Sequence, residues 1–349
     1  MTDILANVQL IRSLPPSESS LESVPDDEAT AVATITEMIS TRLRATAQPG
    51  LAARDAHPKA HGCVAAMLQI LDNLPNNLSQ GLFASVANYP CWVRFSNGSG
   101  TPQPDKLGDG RGMAIKVMNV AASRSTTQDF VMINNPVFFV RNARDYIDYQ
   151  SATNQVRFFF PGFNPFHFRL HELFAALEIT RRIVSNPLNV QYYSMTPYLL
   201  GDEACKFSCR PLGAPSAAVS RSSPNFLHDN LVAALESRDA MFELCVQLRN
   251  DAASMPIEDP TIAWSEHISP FIPVAHLTIS KQIFDTPERA AFGEALSFTP
   301  WHGLDAHRPL GGINRVRRVV YEAISALRHD LNHVTRVEPT ANVKPTRAT

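Results

Sequence analysis

The sequence predicts an α+β fold. Short apolar runs separated by turn residues crowd the region between residues 63 and 140, and segments with helical spacing follow them. Strand and helix do not alternate regularly, as they would in a parallel sheet with crossover helices.

Taken in order, residues 15–28 are rich in Pro, Ser, Asp and Glu and predict an extended arm leading into the fold. A helix follows, because Val32, Ile35, Ile39 and Leu43 recur at three and four, with Asp26 and Asp27 before them and Pro49-Gly50 after. Strands are expected over 64–70, 91–96, 113–120 and 129–140, with a later one over 274–279. Helical spacing or composition marks 166–184, 226–236 and 286–296. The longest stripe comes last: Ile313, Val316, Val320, Ile324, Leu327 and Leu331 step by three and four across 311–332. No repeat or long linker divides the chain, so the expectation is an arm (1–28), one domain (29–335) and a polar C-terminal tail (336–349).

Bulk properties narrow the function. With 349 residues, 44% hydrophobic and 18% charged, the chain can bury a large core. A formal charge of -2 and no block of Lys and Arg argue against nucleic acid as a partner. Five cysteines, odd in number and sparse, do not form a secreted disulfide framework. The N-terminus lacks a basic segment followed by an apolar run, and no stretch approaches ~20 uninterrupted apolar residues. A cytoplasmic protein without a transmembrane segment is expected.

Three constellations could carry chemistry. In the first, Arg54-Asp55-Ala56-His57-Pro58-Lys59-Ala60-His61, the two histidines have the spacing of a zinc pair, but Pro58 between them disfavours a shared helix face. Cys205 and Cys209 likewise have a metal-ligand spacing without a matching second pair. The second constellation places Asn134 and Asn135 inside an apolar run ending in Phe138-Phe139. Read blandly, it is a turn before Pro136; read functionally, it presents an amide to a pocket walled by the two phenylalanines. In the third, Arg317 and Arg328 lie four before and seven after Tyr321 on one helix, so all three point nearly the same way. The run Gly108-Asp109-Gly110-Arg111-Gly112 precedes a strand rather than a helix, and is a turn rather than a phosphate cradle.

Together these segments resemble the catalase family in order and spacing. Arg54 and His57 match its Arg-x-x-His motif. Val93-Arg94-Phe95-Ser96 matches its following strand, and Arg111 to Lys116 its glycine turn and apolar strand. Asn134, Pro136, Phe138, Phe139 and Arg141 match Asn-x-Pro-x-Phe-Phe with a basic residue, and Arg317, Tyr321 and Arg328 match its proximal helix. The resemblance spans residues 52–332 and implies a catalase-like antiparallel β-barrel core with surrounding helices and a buried haem b (iron protoporphyrin IX).

It implies roles too. Tyr321 would ligate the iron as a phenolate with Arg317 as its cation, and Arg54, Arg94 and Arg328 would hold the propionates. Phe138 would pack against the cofactor. His57 would be the acid-base group, Asn134 (or Asn135) would orient the peroxide, and Ser96 would fix the His57 ring. Should Tyr321 not be the ligand, His302 is the next candidate. The implied substrate is hydrogen peroxide or an organic hydroperoxide, and homo-oligomers are common in the family. Ala56, where large catalases usually carry Val, would admit a bulkier peroxide. Peroxidase chemistry leads. The alternatives are hydroperoxide dehydration or rearrangement of the allene oxide synthase type, a haem-binding protein without turnover, and a haem-free descendant using the cavity for another metabolite.

Overall fold

In the computed structural model, which describes residues 20–47, 52–120, 126–152, 154–213, 221–335 and 338–339, a closed sheet forms the centre. The strands are β1 (Ala60–Ile70), β2 (Asn88–Asn97), β3 (Arg111–Val117), β4 (Gln128–Ile133), β5 (Tyr192–Tyr193), β6 (Tyr198–Leu200), β7 (Glu203–Leu212), β8 (Ala240–Leu248) and β9 (Ile272–Ile279). Their order is β5-β4-β3-β2-β1-β9-β8-β7-β6, every pairing antiparallel, and β5 also pairs with β7. That last pairing closes eight strands into a barrel: Tyr193 stands opposite Ile133 on one side and Ser208 on the other. Closure removes the unpaired edges that an open sheet would expose. The interior is filled by side chains, among them Val64, Val93, Phe95, Phe130, Phe207, Phe242 and Leu277.

Among the described residues seven α-helices surround the barrel: α1 (Glu28–Thr46), α2 (Ala143–Ser151), α3 (Gln155–Phe159), α4 (Leu170–Arg181), α5 (Phe226–Ser237), α6 (Pro287–Ala295) and α7 (Gly312–Leu331). The apolar stripe of α1 (Val32, Ile35, Ile39, Leu43) packs on Val316, Val320 and Ile324 of α7, as its spacing requires. Arg315 pins the start of α7 to the arm and the start of α1 through Glu22 at 2.7 Å and Glu28 at 2.6 Å, and to the segment between β8 and β9 through Glu258 at 2.8 Å. At the other end, Asn332 accepts from the Ala52 amide and donates to the Ala52 carbonyl. Both ends of α7 are thereby fixed to the chain that enters β1.

Several expectations change. The strand expected over 129–140 ends at Ile133, because Pro136 has no amide hydrogen to continue the ladder. The helix expected over 166–184 starts at Leu170; Asn164 caps a short 3-10 turn at Pro165–His167 before it. β7 and β8 were not anticipated, so the expected grouping of strands before helices does not hold. Residues 204–209 of β7 are all buried, on both faces, with Lys206 and Ser208 among them, so no apolar run marks the strand. Cys205 and Cys209 face the barrel interior as free thiols. The parts of the arm before residue 20 and of the tail after 339, and the Pro49-Gly50 breaker, lie outside the described residues.

Candidate active site

A cavity of about 940 Å³, counting space open to solvent, lies between the β1–β4 side of the barrel and the inward face of α7. Its walls come from four places: the 54–57 segment before β1, residues of β2 to β4, the 297–299 segment after α6, and the α7 face carrying Val320, Tyr321, Ile324 and Arg328. Helical spacing of three and four puts these α7 residues on one face, as the sequence implied.

Arg317 stands one turn before Tyr321, and its Nε and Nη2 each donate to the phenol oxygen at 3.3 Å. Burial by itself would lower the Arg317 pKa, but the oxygens of Tyr321 and Tyr198 outweigh it and hold the guanidinium charged.

His57 sits where the chain enters β1, with a left-handed φ of 60°. For a non-glycine residue that conformation is uncommon and persists only where the surroundings over-determine it. Here the Arg94 guanidinium donates to the His57 carbonyl at 3.0 Å, and Nδ1 lies 3.0 Å from Ser96 Oγ. The ring rests over the β2–β3 ladder where Ser96 faces Gly112. A Cβ at Gly112 would stand 2.6 Å from Nδ1 and 2.8 Å from Ser96 Oγ, so only glycine leaves room for the imidazole. Burial, reinforced by the Arg94, Arg317 and Arg54 charges, pushes the His57 pKa down to about 4. The ring is therefore neutral across the physiological range.

Two further buried histidines share this shift: His61, bonded to Asn97, and His307, which accepts from the Leu82 amide, are each driven to about 4, chiefly by burial. Between pH 6.5 and 4 the unfolded chain then binds more protons than the folded one. Their contribution to stability is complete above pH 6.5 and declines as pH falls toward 4, by up to about 1.4 kcal/mol per group per pH unit. Thermal unfolding between pH 7 and pH 5, above the carboxylate range, is expected to show a falling midpoint; a flat profile would refute it.

Arg54, Arg94 and Arg328 converge on the end of α6. Arg54 Nη2 donates to the carbonyls of Gly293, Glu294 and Leu296, and Arg328 Nη1 to that of Glu294. These are the orphan carbonyls that a helix C-terminus leaves open. The Glu294 carboxylate lies 3.0 Å from Arg94 and 3.5 Å from Arg54. Burial would raise its pKa, but the Arg94 and Arg54 charges win and hold it below the usual range. Burial and the neighbouring Arg94 charge lower Arg54 to about 9. The cluster counts three cations against one carboxylate. Among the described residues the buried Nε of Arg94 has no hydrogen-bond partner, and that of Arg54 has only the 3.5 Å contact with Glu294. Such a site has an unmet demand for anionic acceptors.

Of the residues expected from the sequence, Arg54, His57, Arg94, Ser96, Tyr321 and Arg328 line this one cavity, and Arg317 supports Tyr321 from behind. Asn134 and Phe138 do not reach its lining. The oxygen of Asn134 accepts from the Arg111 amide at 2.8 Å, and its buried Nδ2 has no hydrogen-bond partner among the described residues. Asn135 donates to the Val137 carbonyl. Phe138 packs at a tilt against Phe139 in a separate aromatic cluster with Phe158 and Phe159. His57 and His61 diverge, toward Ser96 and Asn97 respectively, and among the described residues no three His, Cys, Asp or Glu side chains gather as a metal site. His302 points away to Asp129 and Lys116.

Sequence reasoning missed Glu294, Gly112, Met113, Met132 and the 297–299 segment. Gly112 was visible only as a turn glycine, and Glu294 as one helix carboxylate among many.

A family model described as Catalase matches residues 38–156. A relative described as a catalase-related peroxidase, from Mycolicibacterium paratuberculosis (strain ATCC BAA-968 / K-10), is 27% identical over 271 residues, covering 72% of this chain and 81% of its own. Catalase A from Saccharomyces cerevisiae superposes with a TM-score of 0.64 at 15% identity, over 93% of this chain and 72% of that one. A fungal catalase superposes at 0.61 and 16% identity, over 91% and 67%. At such identities the superpositions speak to the fold. Among the described residues no helix is long and apolar enough to cross a membrane.

Proposed function

We propose that this chain, similar to a catalase family model and to a catalase-related peroxidase, is an oxidoreductase with a haem-dependent activity on hydrogen peroxide or an organic hydroperoxide. The observation that carries this reading is the convergence, in one cavity, of a phenol backed by a buried guanidinium, a neutral imidazole and a three-arginine cluster. The donor set fits haem b. Tyr321 is a ligand type that haem iron accepts, and Arg317 supplies the charge that favours its anion. The unpartnered Nε of Arg94, with Arg54 Nε held only by the 3.5 Å contact to Glu294, fits the demand of two propionates, and three cations less the Glu294 carboxylate leave two positive charges for them.

When bound, haem would supply the redox chemistry with the peroxide. The chain's own residues do the rest. His57, neutral because of burial and the surrounding arginines, can take a proton at Nε2 while Nδ1–H donates to Ser96 Oγ. The Arg94 bond to its carbonyl and the floor at Gly112 hold the ring in that orientation. The cavity's apolar walls, Met113, Val131, Met132, Val320 and Ile324, limit the water competing for the same proton. Ala56 on the lining leaves room for an organic substituent on the peroxide.

The direct test is reconstitution with haem, followed by consumption assays with hydrogen peroxide and with a lipid hydroperoxide, each with and without an organic reductant. A Soret band and reductant-dependent consumption are expected. Protein that acquires no Soret band overturns the proposal, and lipid consumption without reductant would instead indicate dehydration or rearrangement. Gly112→Ala tests the positioning of His57. The added methyl must displace the ring or the Ser96 hydroxyl, so turnover is expected to fall by about 10- to 100-fold, part of the 10²–10⁴ that a positioned acid-base group contributes. Haem uptake should persist, and unchanged turnover would show that the ring position is immaterial.

A further inference from the structure

Arg317 is buried, and a buried guanidinium ordinarily pairs with a carboxylate. Among the described residues none lies within ion-pairing distance of it. Its partners are neutral: Nη1 donates to Asn314 Oδ1 at 3.2 Å and to Thr196 Oγ1 at 3.5 Å, Nε and Nη2 are directed at Tyr321, and the buried Tyr198 phenol stands nearby. The Asn314 amide cannot turn over without loss. Its two N–H groups donate to the carbonyls of Pro197 at 2.9 Å and Leu310 at 3.0 Å, which leaves the oxygen facing the cation. The Thr196 hydroxyl lies 3.0 Å from that oxygen and 3.2 Å from the Ser194 carbonyl. Thr196 sits in the loop between β5 and β6, directly after Met195, whose φ of 61° bends the chain toward α7.

We propose that Asn314, locked by Thr196 and the two carbonyls, is a positioning residue that aims the Arg317 fork at the Tyr321 oxygen. Because its acceptor is neutral, the cation's charge is left to that oxygen. A carboxylate in the same place would hold the guanidinium equally well but take its charge for itself. This rests on the reading of Tyr321 as the haem ligand. The positioning is a property of the polypeptide alone and can be observed without haem.

The experiment therefore has two arms. In haem-free protein labelled with ¹⁵N-arginine, the Arg317 Nε–H signal, assigned by its loss in Arg317→Lys, reports whether the guanidinium is immobilised. In reconstituted protein, the rate of haem transfer to excess apomyoglobin reports how firmly the ligand is held. T196V keeps the shape of Thr196 and removes its hydroxyl, T196S restores the hydroxyl, and N314A and N314D remove or charge the amide.

T196V and N314A are expected to broaden or erase the Nε–H signal and to speed haem loss by about tenfold, the scale on which outer partners of a metal ligand act. T196S should restore both readouts. N314D should keep the signal yet still lose haem faster. A sharp Nε–H signal in T196V and N314A, with haem loss within about twofold of the parent, overturns the proposal, since outer partners that matter cost about 10- to 100-fold. N314D holding haem as firmly as the parent overturns the charge argument. If N314A does not fold, the near-isosteric T196V and T196S pair decides the matter. A parent protein that takes up no haem overturns Tyr321 as ligand, while the Nε–H arm still reads the positioning.

Discussion

Tyr321→Phe is expected to lose haem binding. The substitution removes one oxygen from a side chain that stays on the same helix face, so α7 should keep its packing on α1 through Val316, Val320 and Ile324. What disappears is the group to which Arg317 directs two of its nitrogens, and with it the proposed bond to iron. Removing an outer partner of a metal ligand costs about 10- to 100-fold in affinity, so removing the ligand itself should exceed ~100-fold. Titration of the haem-free variant, followed by the Soret band, measures this directly, with circular dichroism to confirm the fold. Parent-like haem uptake would move the ligand elsewhere and remove the reason for Arg317 to lie where it does. A five- to tenfold loss would fit a supporting hydrogen bond better than a ligand.

His57→Ala is expected to separate binding from turnover. His57 belongs neither to the arginine cluster nor to the Tyr321 pair, so haem affinity should change little. Peroxide consumption should fall by about 10²- to 10⁴-fold, the usual contribution of a positioned general acid-base group. The pH profile adds a second check. With its pKa held at about 4, chiefly by burial and then by Arg94, Arg317 and Arg54, the parent's imidazole is neutral from pH 8 down to pH 5. Turnover should be flat there and decline only as pH approaches 4. A decline centred near 6.5 would show the ring to be solvated and unperturbed in solution. Retention of full turnover in the alanine variant would exclude His57 from proton transfer.

The α7 residues were legible because they are local. Arg317, Tyr321 and Arg328 stand at four and seven on one helix, and a period of 3.6 puts them on one face whatever surrounds the helix. The α1 stripe was legible for the same reason, and β1 to β4 because their apolar runs are bounded by turn residues. β7 and β8 were not, since Lys206, Ser208 and Arg210 in β7 and Glu243 and Gln247 in β8 interrupt their apolar residues and leave no apolar run. The order of the motifs along the chain carried the resemblance to catalases, but it could not tell which motif residues reach the cavity. Asn134 follows the motif and is turned instead toward the Arg111 amide. Glu294 follows no motif and lies among the arginines.

By itself, then, the sequence determined the helix face bearing Tyr321, the Arg54–His57 pair and the strands from which Arg94 and Ser96 project. Tertiary structure alone decided the rest. Barrel closure through the two-residue β5 brings Thr196 under α7, and the glycine at position 112 admits the His57 ring. The ties of Asn332 to Ala52 bring the two halves of the site together across 280 residues. Local periodicity is written in neighbouring residues, whereas charge balance, burial and the room beneath a ring depend on which distant segments pack together. For that reason the shared face of Arg317, Tyr321 and Arg328 could be read from spacing and a ligand role for Tyr321 from the resemblance, but the neutral state of His57 and the uncompensated charge of Arg317 could not.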